Sequence, residues 1–287
     1  MTFLRSAPPA WRVGTLTDAQ RRDLLRLVAE DPLVNAVIAC RLATFRSIEP
    51  SRFGGALIGV RTTRLVGATF YGGNLLPIGG EPDSWHAIAR HLAGQSRVCT
   101  SIVGRTSAVE AMWPHLEPSW GPARAIRDTQ PLLALTRDAA PRKADRRVRT
   151  MRPADIDRYL PAAAAMFTEE LGVSPFSGQA GGTYRARVES LLANGRAFGI
   201  VDEDGRMAFK ADIGAVSADT AQIQGVWVRP DLRGQGIGTA ALARVMQHAL
   251  RMAPTASLYV NDFNAPARRM YAKLGMRQAA SLSTVLF

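Results

Sequence analysis

Six consecutive positions, Arg233, Gly234, Gln235, Gly236, Ile237 and Gly238, carry the clearest chemistry in this chain, between a β-rich run, QIQGVWVRPDL, and a helical pattern, GTAALARVMQHAL. Glycines let the main chain approach a ligand closely, and the start of a helix leaves several N–H groups without an intrahelical acceptor. With the helix dipole behind them, those N–H groups make a site for a phosphate or pyrophosphate, and Arg233 adds a fixed positive charge suited to phosphate oxygens. A plain strand-to-helix turn would also use glycines. A dinucleotide fingerprint would need GxGxxG after a parallel strand, whereas Thr239 follows Gly238 here and the preceding strands read as antiparallel. Asp262, after the next strand, is the only feature in favour of that rival.

A second block, SLYVNDFNAPARRMYAKLGM, stands about twenty residues beyond that helix start and supplies Asn264, Tyr271, Leu274, Gly275 and Met276. Arg233, Gly236 and Gly238 meet the pattern Q/R-x-x-G-x-G/A, and the two stretches in this order resemble the GCN5-related N-acetyltransferase (GNAT) family over roughly residues 150–287. The resemblance implies acyl transfer from acetyl-CoA, or another short acyl-CoA, to an amine. It implies that the backbone of Val226, Trp227 and Val228 pairs with the pantetheine arm, and that Arg233, Gly234, Gln235, Gly236, Ile237, Gly238 and Thr239 hold the pyrophosphate. Asn264 would touch the pantetheine and Tyr271 would protonate the departing thiolate. Each of the last two also has a plain reading, Asn264 as a helix N-cap and Tyr271 as a core aromatic.

The reaction further needs an uncharged amine, donors for an oxyanion and a route for the amine proton. Many relatives place a Glu on the fourth strand, where this sequence has Gln222 and Gln224. An amide cannot take the proton, although it can hold a water. Glu169 and Asp212 are therefore the carboxylate candidates, with Glu170 beside the first. The glutamines also leave open a non-catalytic acyl-CoA-binding regulatory protein.

The elements that must position these residues can be read from periodicity. Helices are expected over 153–167 and 183–193, three antiparallel strands over RAFGIVDEDGRMAFKADIGAVSADTAQIQGVWVRP, then a helix over 236–252, a strand at 258–260, a helix over 266–274 and a strand over 281–287. The N-terminal half repeats nearly the same order: helices over 17–30 and 32–45, strands at 56–60, 65–70 and 74–78, a helix over 84–93, a strand at 98–103, a helix over 107–116 and a strand at 129–135. A degenerate internal duplication accounts for this, and an unrelated α/β domain is the alternative. The equivalent of the glycine loop, LLPIGGEPDSW, has no leading Arg and puts Glu81 and Asp83 at the helix start, where they would repel pyrophosphate.

The fold class expected is thus mixed α/β, a mostly antiparallel sheet flanked by helices, in two tandem acyl-CoA N-acyltransferase-like domains. Residues 1–137 would be a degenerate non-catalytic domain, 138–149 a basic linker and 150–287 the catalytic domain. Residues 137–149 hold six basic and two acidic side chains, a net +4 within a chain of 287 residues and +12 overall. Such a charge favours an anionic partner without specifying it, whether coenzyme A phosphates, an acidic protein surface or nucleic acid, the last being the least expected. Cys40 and Cys99 stand apart from each other and from the four histidines, so neither a disulfide framework nor a metal site is expected. No run approaches the roughly 18 apolar residues of a membrane span, and MTFLRSAPPAWRV lacks a hydrophobic signal core. A cytoplasmic monomer or homodimer acting on a small amine or a protein or peptide amino group is the expectation.

Overall fold

The computed structural model describes residues 11–177 and 180–287. The first ten residues, on which the reading of the chain's start rests, lie outside them. Two compact units divide the chain, one reaching Pro131 and taking in Ala280–Phe287, the other Leu132–Ala279.

The first unit runs β1 (Arg12–Thr15), α1 (Arg21–Glu30), α2 (Ala36–Thr44), the single turn α3 (Pro50–Phe53), β2 (Ala56–Arg61), β3 (Leu65–Tyr71), β4 (Leu75–Ile78), α4 (Pro82–Ala93), β5 (Ser101–Arg105), α5 (Thr106–Trp120) and the first half of β6 (Ala125–Thr136). Strands β1 to β4 pair antiparallel in sequence order, while β4 and β5 are parallel and meet only at Leu75 and Ile102. Helix α4 buries Trp85, Ile88, Ala89 and Leu92, the i, i+3, i+4, i+7 stripe that marked it in the sequence. The sequence reading stops α5 at Leu116, but the helix continues through Pro118 to Trp120. Burial of Trp113, Leu116 and Trp120 outweighs the cost of two interior prolines.

The second unit adds a short strand, β7 (Arg149–Thr150), that was not expected, and then follows the expected order: α6 (Ile156–Leu171), α7 (Ala180–Ala193), β8 (Ala197–Val201), β9 (Met207–Val216), β10 (Thr220–Val228), α8 (Ile237–Met252), β11 (Thr255–Tyr259), α9 (Ala265–Lys273) and the start of β12 (Arg277–Leu286). Strands β7 to β10 are antiparallel neighbours, and Gly205, with φ +77°, closes the β8–β9 turn. One face of this sheet packs on α8 through Ala241, Leu242, Val245, Met246 and Ala249; the other carries Met151, Tyr159, Ala163, Val188 and Leu192. Helix α6 starts three residues later than the sequence indicates and runs a turn beyond the expected end, capped by Gly172 with φ +72°, so Glu169 and Glu170 lie in its last turn.

Two features depart from the expected domain limits. The segment 138–149 belongs to the second unit, laid along α8 by Asp145 N donating to Ala240 O (2.9 Å), Gln247 Nε2 to Pro141 O (2.8 Å) and Arg137 Nε to Leu250 O (3.1 Å). Ala140, Ala144 and Val148 of the expected basic linker pack into the α8 core at four-residue spacing. The final strand of each half also leaves its own half. Leu132–Thr136 of β6 pairs antiparallel with β11, whereas Leu282–Leu286 of β12 pairs antiparallel with β5. Local patterning identifies a strand but not its partner.

Candidate active site

Strand β10 forms the floor of a cleft of about 630 Å³ in the second unit. Its parallel pairing with β11 covers only Thr220 to Gln222 against Thr255 to Ser257. Beyond that point the strands separate, and residues 223–228 line the cleft together with Leu258 to Asn261. On the opposite edge the ladder with β9 skips from Gln224–Asp212 to Trp227–Lys210, a bulge in which Gly225 takes a left-handed φ of +59°.

The glycine loop enters the same cleft. Gly234 and Gly236 have φ +79° and +80°, values that a β-carbon disfavours, and Gly236 is the N-cap of α8 without any side-chain cap. The first N–H groups of α8 are therefore left for a ligand. A β-carbon on Gly238 would lie 3.0 Å from Val228 and 3.4 Å from Met270, so this glycine lets α8 close on β10 and α9. Arg233 is already engaged: Nε donates to Val228 O at 2.9 Å and Nη2 to Glu169 Oε2 at 2.7 Å. Trp227 Nε1 donates to the other carboxylate oxygen of Glu169 at 3.1 Å. Three residues assigned separately from sequence, Glu169, Trp227 and Arg233, thus form one clamp.

Helix α9 supplies the next wall. Asn264 is its N-cap, accepting from Ala267 N at 3.2 Å, and it also lines the cleft. Phe263 beside it is 77% exposed. Tyr271 is only 6% exposed, yet it lines the cleft and its hydroxyl has no hydrogen-bond partner among the described residues. Burial pushes this phenol well above its usual range, and the charge of Glu170 adds to the shift, so it is protonated at neutral pH.

Asp212 is placed differently. It is 5% exposed, does not line the cleft, and accepts from Lys210 Nζ and from the Tyr159 hydroxyl, each at 2.6 Å. Of the two glutamines, Gln224 lines the cleft and lies over Gly214, where a β-carbon would stand 2.2 Å from its Cδ, while Gln222 is buried opposite Ala215 and Ser257. Sequence reasoning missed Lys210, Tyr159 and Gly225. A lysine in the hydrophobic run MAFKADIGAV, two residues from an aspartate, was the available signal.

Comparison with known proteins bears on the family and the fold. The Acetyltransferase (GNAT) family matches residues 175–276, and a domain of unknown function (DUF4081) matches residues 55–159. A putative [ribosomal protein bS18]-alanine N-acetyltransferase of Bacillus subtilis is 30% identical over 131 residues, which span 45% of this chain and 80% of that protein. Among solved structures, a GCN5-related N-acetyltransferase from Sphaerobacter thermophilus superposes with a TM-score of 0.59 at 17% identity, covering 98% of this chain and 97% of its own. A tandem GNAT protein from the clavulanic acid biosynthesis pathway gives 0.51 at 14% identity, with 96% and 98% covered. At such identities these two structures speak for the fold. This chain belongs to the GNAT family of acetyltransferases and is an acyltransferase, of mixed α/β fold with a mostly antiparallel sheet.

Members of this family generally use acetyl-CoA, and in this cleft N–H groups at the start of α8 without a side-chain cap meet a parted pair of strands. Among the described residues no cluster of His, Cys, Asp and Glu could hold a metal, and no helix is long and apolar enough to cross a membrane.

Proposed function

We propose that this chain transfers an acetyl or other short acyl group from its coenzyme A thioester to a primary amine by direct attack, in the cleft of the second unit. The observation that carries this reading is the Tyr271 hydroxyl, buried at the ring, unpartnered among the described residues, and lining the same cleft as the uncapped start of α8.

The bound thioester supplies an activated carbonyl and a thiolate leaving group. The main-chain N–H groups from Gly236 to Thr239 hold phosphate oxygens, and Arg233 adds charge under the restraint of Glu169 and Val228. The backbone of Val226 to Val228 pairs with the extended arm, and the Val226 N–H donates to the carbonyl oxygen as negative charge builds there. Tyr271, a neutral phenol at neutral pH, gives its proton to the leaving sulfur. We assign receipt of the amine proton to Glu170, which lines the cleft beside Glu169, directly or through a water that the Gln224 amide orients. Asn264 orients the arm at the start of α9, and a single coenzyme A is held per chain.

The test is thiol release by the purified full chain with acetyl-CoA and a panel of amines that includes a peptide beginning with alanine, the acceptor type named for the Bacillus relative. Amine-dependent release with an acetylated product is the expected result. Tight coenzyme A binding without transfer to any amine would instead favour a non-catalytic acyl-CoA-binding role.

A further inference from the structure

Behind the cleft floor lies an ionic network that the steps above do not use. Lys210 and Asp212 are two residues apart on β9, so both side chains leave the same face of the strand, and they are 1% and 5% exposed. Lys210 Nζ donates to Asp212 Oδ2, the Tyr159 hydroxyl of α6 donates to Asp212 Oδ1, and the ammonium stands 5.2 Å from the centre of the Tyr159 ring. Burial, reinforced by the Asp212 charge, drives the Tyr159 phenol far up, which keeps it a donor.

Removing two charges from water is costly, and apolar side chains of similar volume often serve a fold as well or better. Stability alone gives this network no reason to exist. Its location does. Asp212 faces Gln224 across the ladder and Lys210 faces Trp227, so Gly225 and Val226 are the bulged residues between them. A β-carbon on Gly225 would stand 2.9 Å from both Lys210 Nζ and Asp212 Oδ2 and 3.1 Å from Met166 Cε. The bulge is seated directly on the ion pair, and the same bulge lines the cleft.

We propose that Lys210, Asp212 and Tyr159 are positioning residues for acyl transfer, fixing the Gly225–Val226 turn and with it the direction of the Val226 N–H toward the reacting carbonyl. This inference rests on the assignment of the cleft to acyl transfer. Lys210 and Asp212 lie outside the residues that line the cleft, so they act through the turn; a donor displaced by about 1 Å loses much of its effect on a reacting oxygen.

The test replaces the ion pair by apolar side chains, Lys210→Met with Asp212→Leu, and follows folding, coenzyme A affinity, kcat and its pH profile. The expected result is a folded protein whose coenzyme A affinity stays within about threefold of the wild type while kcat falls about tenfold or more, the pH profile keeping its shape. Tyr159→Phe, which keeps the ring and removes one hydrogen bond, should show the same split at smaller amplitude, and it decides the matter if the double variant does not fold. A folded double variant with kcat within about twofold of the wild type would overturn this inference alone. Loss of the acidic limb of the pH profile would overturn it in favour of Asp212 as the proton acceptor itself. A wild-type chain that binds coenzyme A and transfers nothing would overturn the assignment of the cleft and this inference with it.

Discussion

Arg233 donates to Glu169 at 2.7 Å, so the cation that heads the glycine loop is paired before any phosphate arrives. Both side chains are nearly half exposed, at 47% and 44%, which makes the pair a weak contributor to stability and a screened one. Glu169→Gln should leave the melting temperature nearly unchanged and tighten coenzyme A binding by about two- to fivefold at low salt, an effect that fades as ionic strength rises. Weaker binding by calorimetry would show that Glu169 holds Arg233 in the geometry the ligand needs and outweighs its own repulsion.

Tyr271→Phe separates a catalytic hydroxyl from a packing ring. The hydroxyl has no partner among the described residues, so its removal should cost little stability, while kcat falls by about 10²-fold and coenzyme A affinity is kept. Loss of stability by about 1 kcal/mol or more with little loss of rate would return Tyr271 to the core.

Gly236→Asp should abolish coenzyme A binding in calorimetry. Its φ of +80° strains any β-carbon, and a carboxylate at this N-cap would take the place of the phosphate, as an acid already stands at the N-cap of α4 in Glu81. Gly236→Ala shares the strain without the charge and should weaken binding less. Equal losses in the two variants would mean that backbone strain alone sets the effect.

The motifs around Gly236 and Tyr271 were legible because they combine glycine or aromatic identity with fixed spacing from periodic elements. The order of strands and helices was legible from period except for β1, α3 and β7, each too short to show one. Three things were not. The partners of β6 and β12 depend on contacts remote in sequence, so the assumption that each half keeps its own last strand was a guess about topology. Glu169 read as a candidate base because a carboxylate's role depends on its neighbours, and Trp227 and Arg233 are 58 and 64 residues away from it. Lys210 was hidden because a buried lysine looks like any other lysine until its burial is known.

Acid should destabilise the fold in two separate windows. Burial, aided by Arg251 and Arg244, lowers the His248 pKa to about 4, and its Nε2 is buried with no hydrogen-bond partner among the described residues. The unfolded chain, with an imidazole near 6.5, binds this proton more readily, so stability should decline as pH falls from about 6.5 toward 4. Asp155, lowered to about 2 chiefly by its hydrogen bond from Arg149, should act later, its contribution disappearing as pH falls from 3.8 through 2. Melting curves of His248→Leu should lose the first decline and keep the second. A first decline that survives would assign it to another group.

A fragment of residues 150–287 should not behave as a folded monomer. It lacks Leu132–Thr136, which pairs along all of β11 and contributes Leu135 to the α8 core, and β11 without it is an open edge. Size-exclusion chromatography and circular dichroism would decide, and a monodisperse fragment with cooperative unfolding and coenzyme A binding would defeat the expectation.

The placement of β12 also sets an order of events during synthesis. Strand β5 of the first unit pairs with residues 282–286, which are translated only after every residue of the second unit. Domains commonly fold as units, N-terminal first, while the chain is still being made. Here the first unit can assemble its helices and its β1–β4 meander early, but β5 stays an unpaired edge until translation has passed residue 286. Throughout that interval it is a template for wrong pairings, between neighbouring nascent chains or with the later strands of its own.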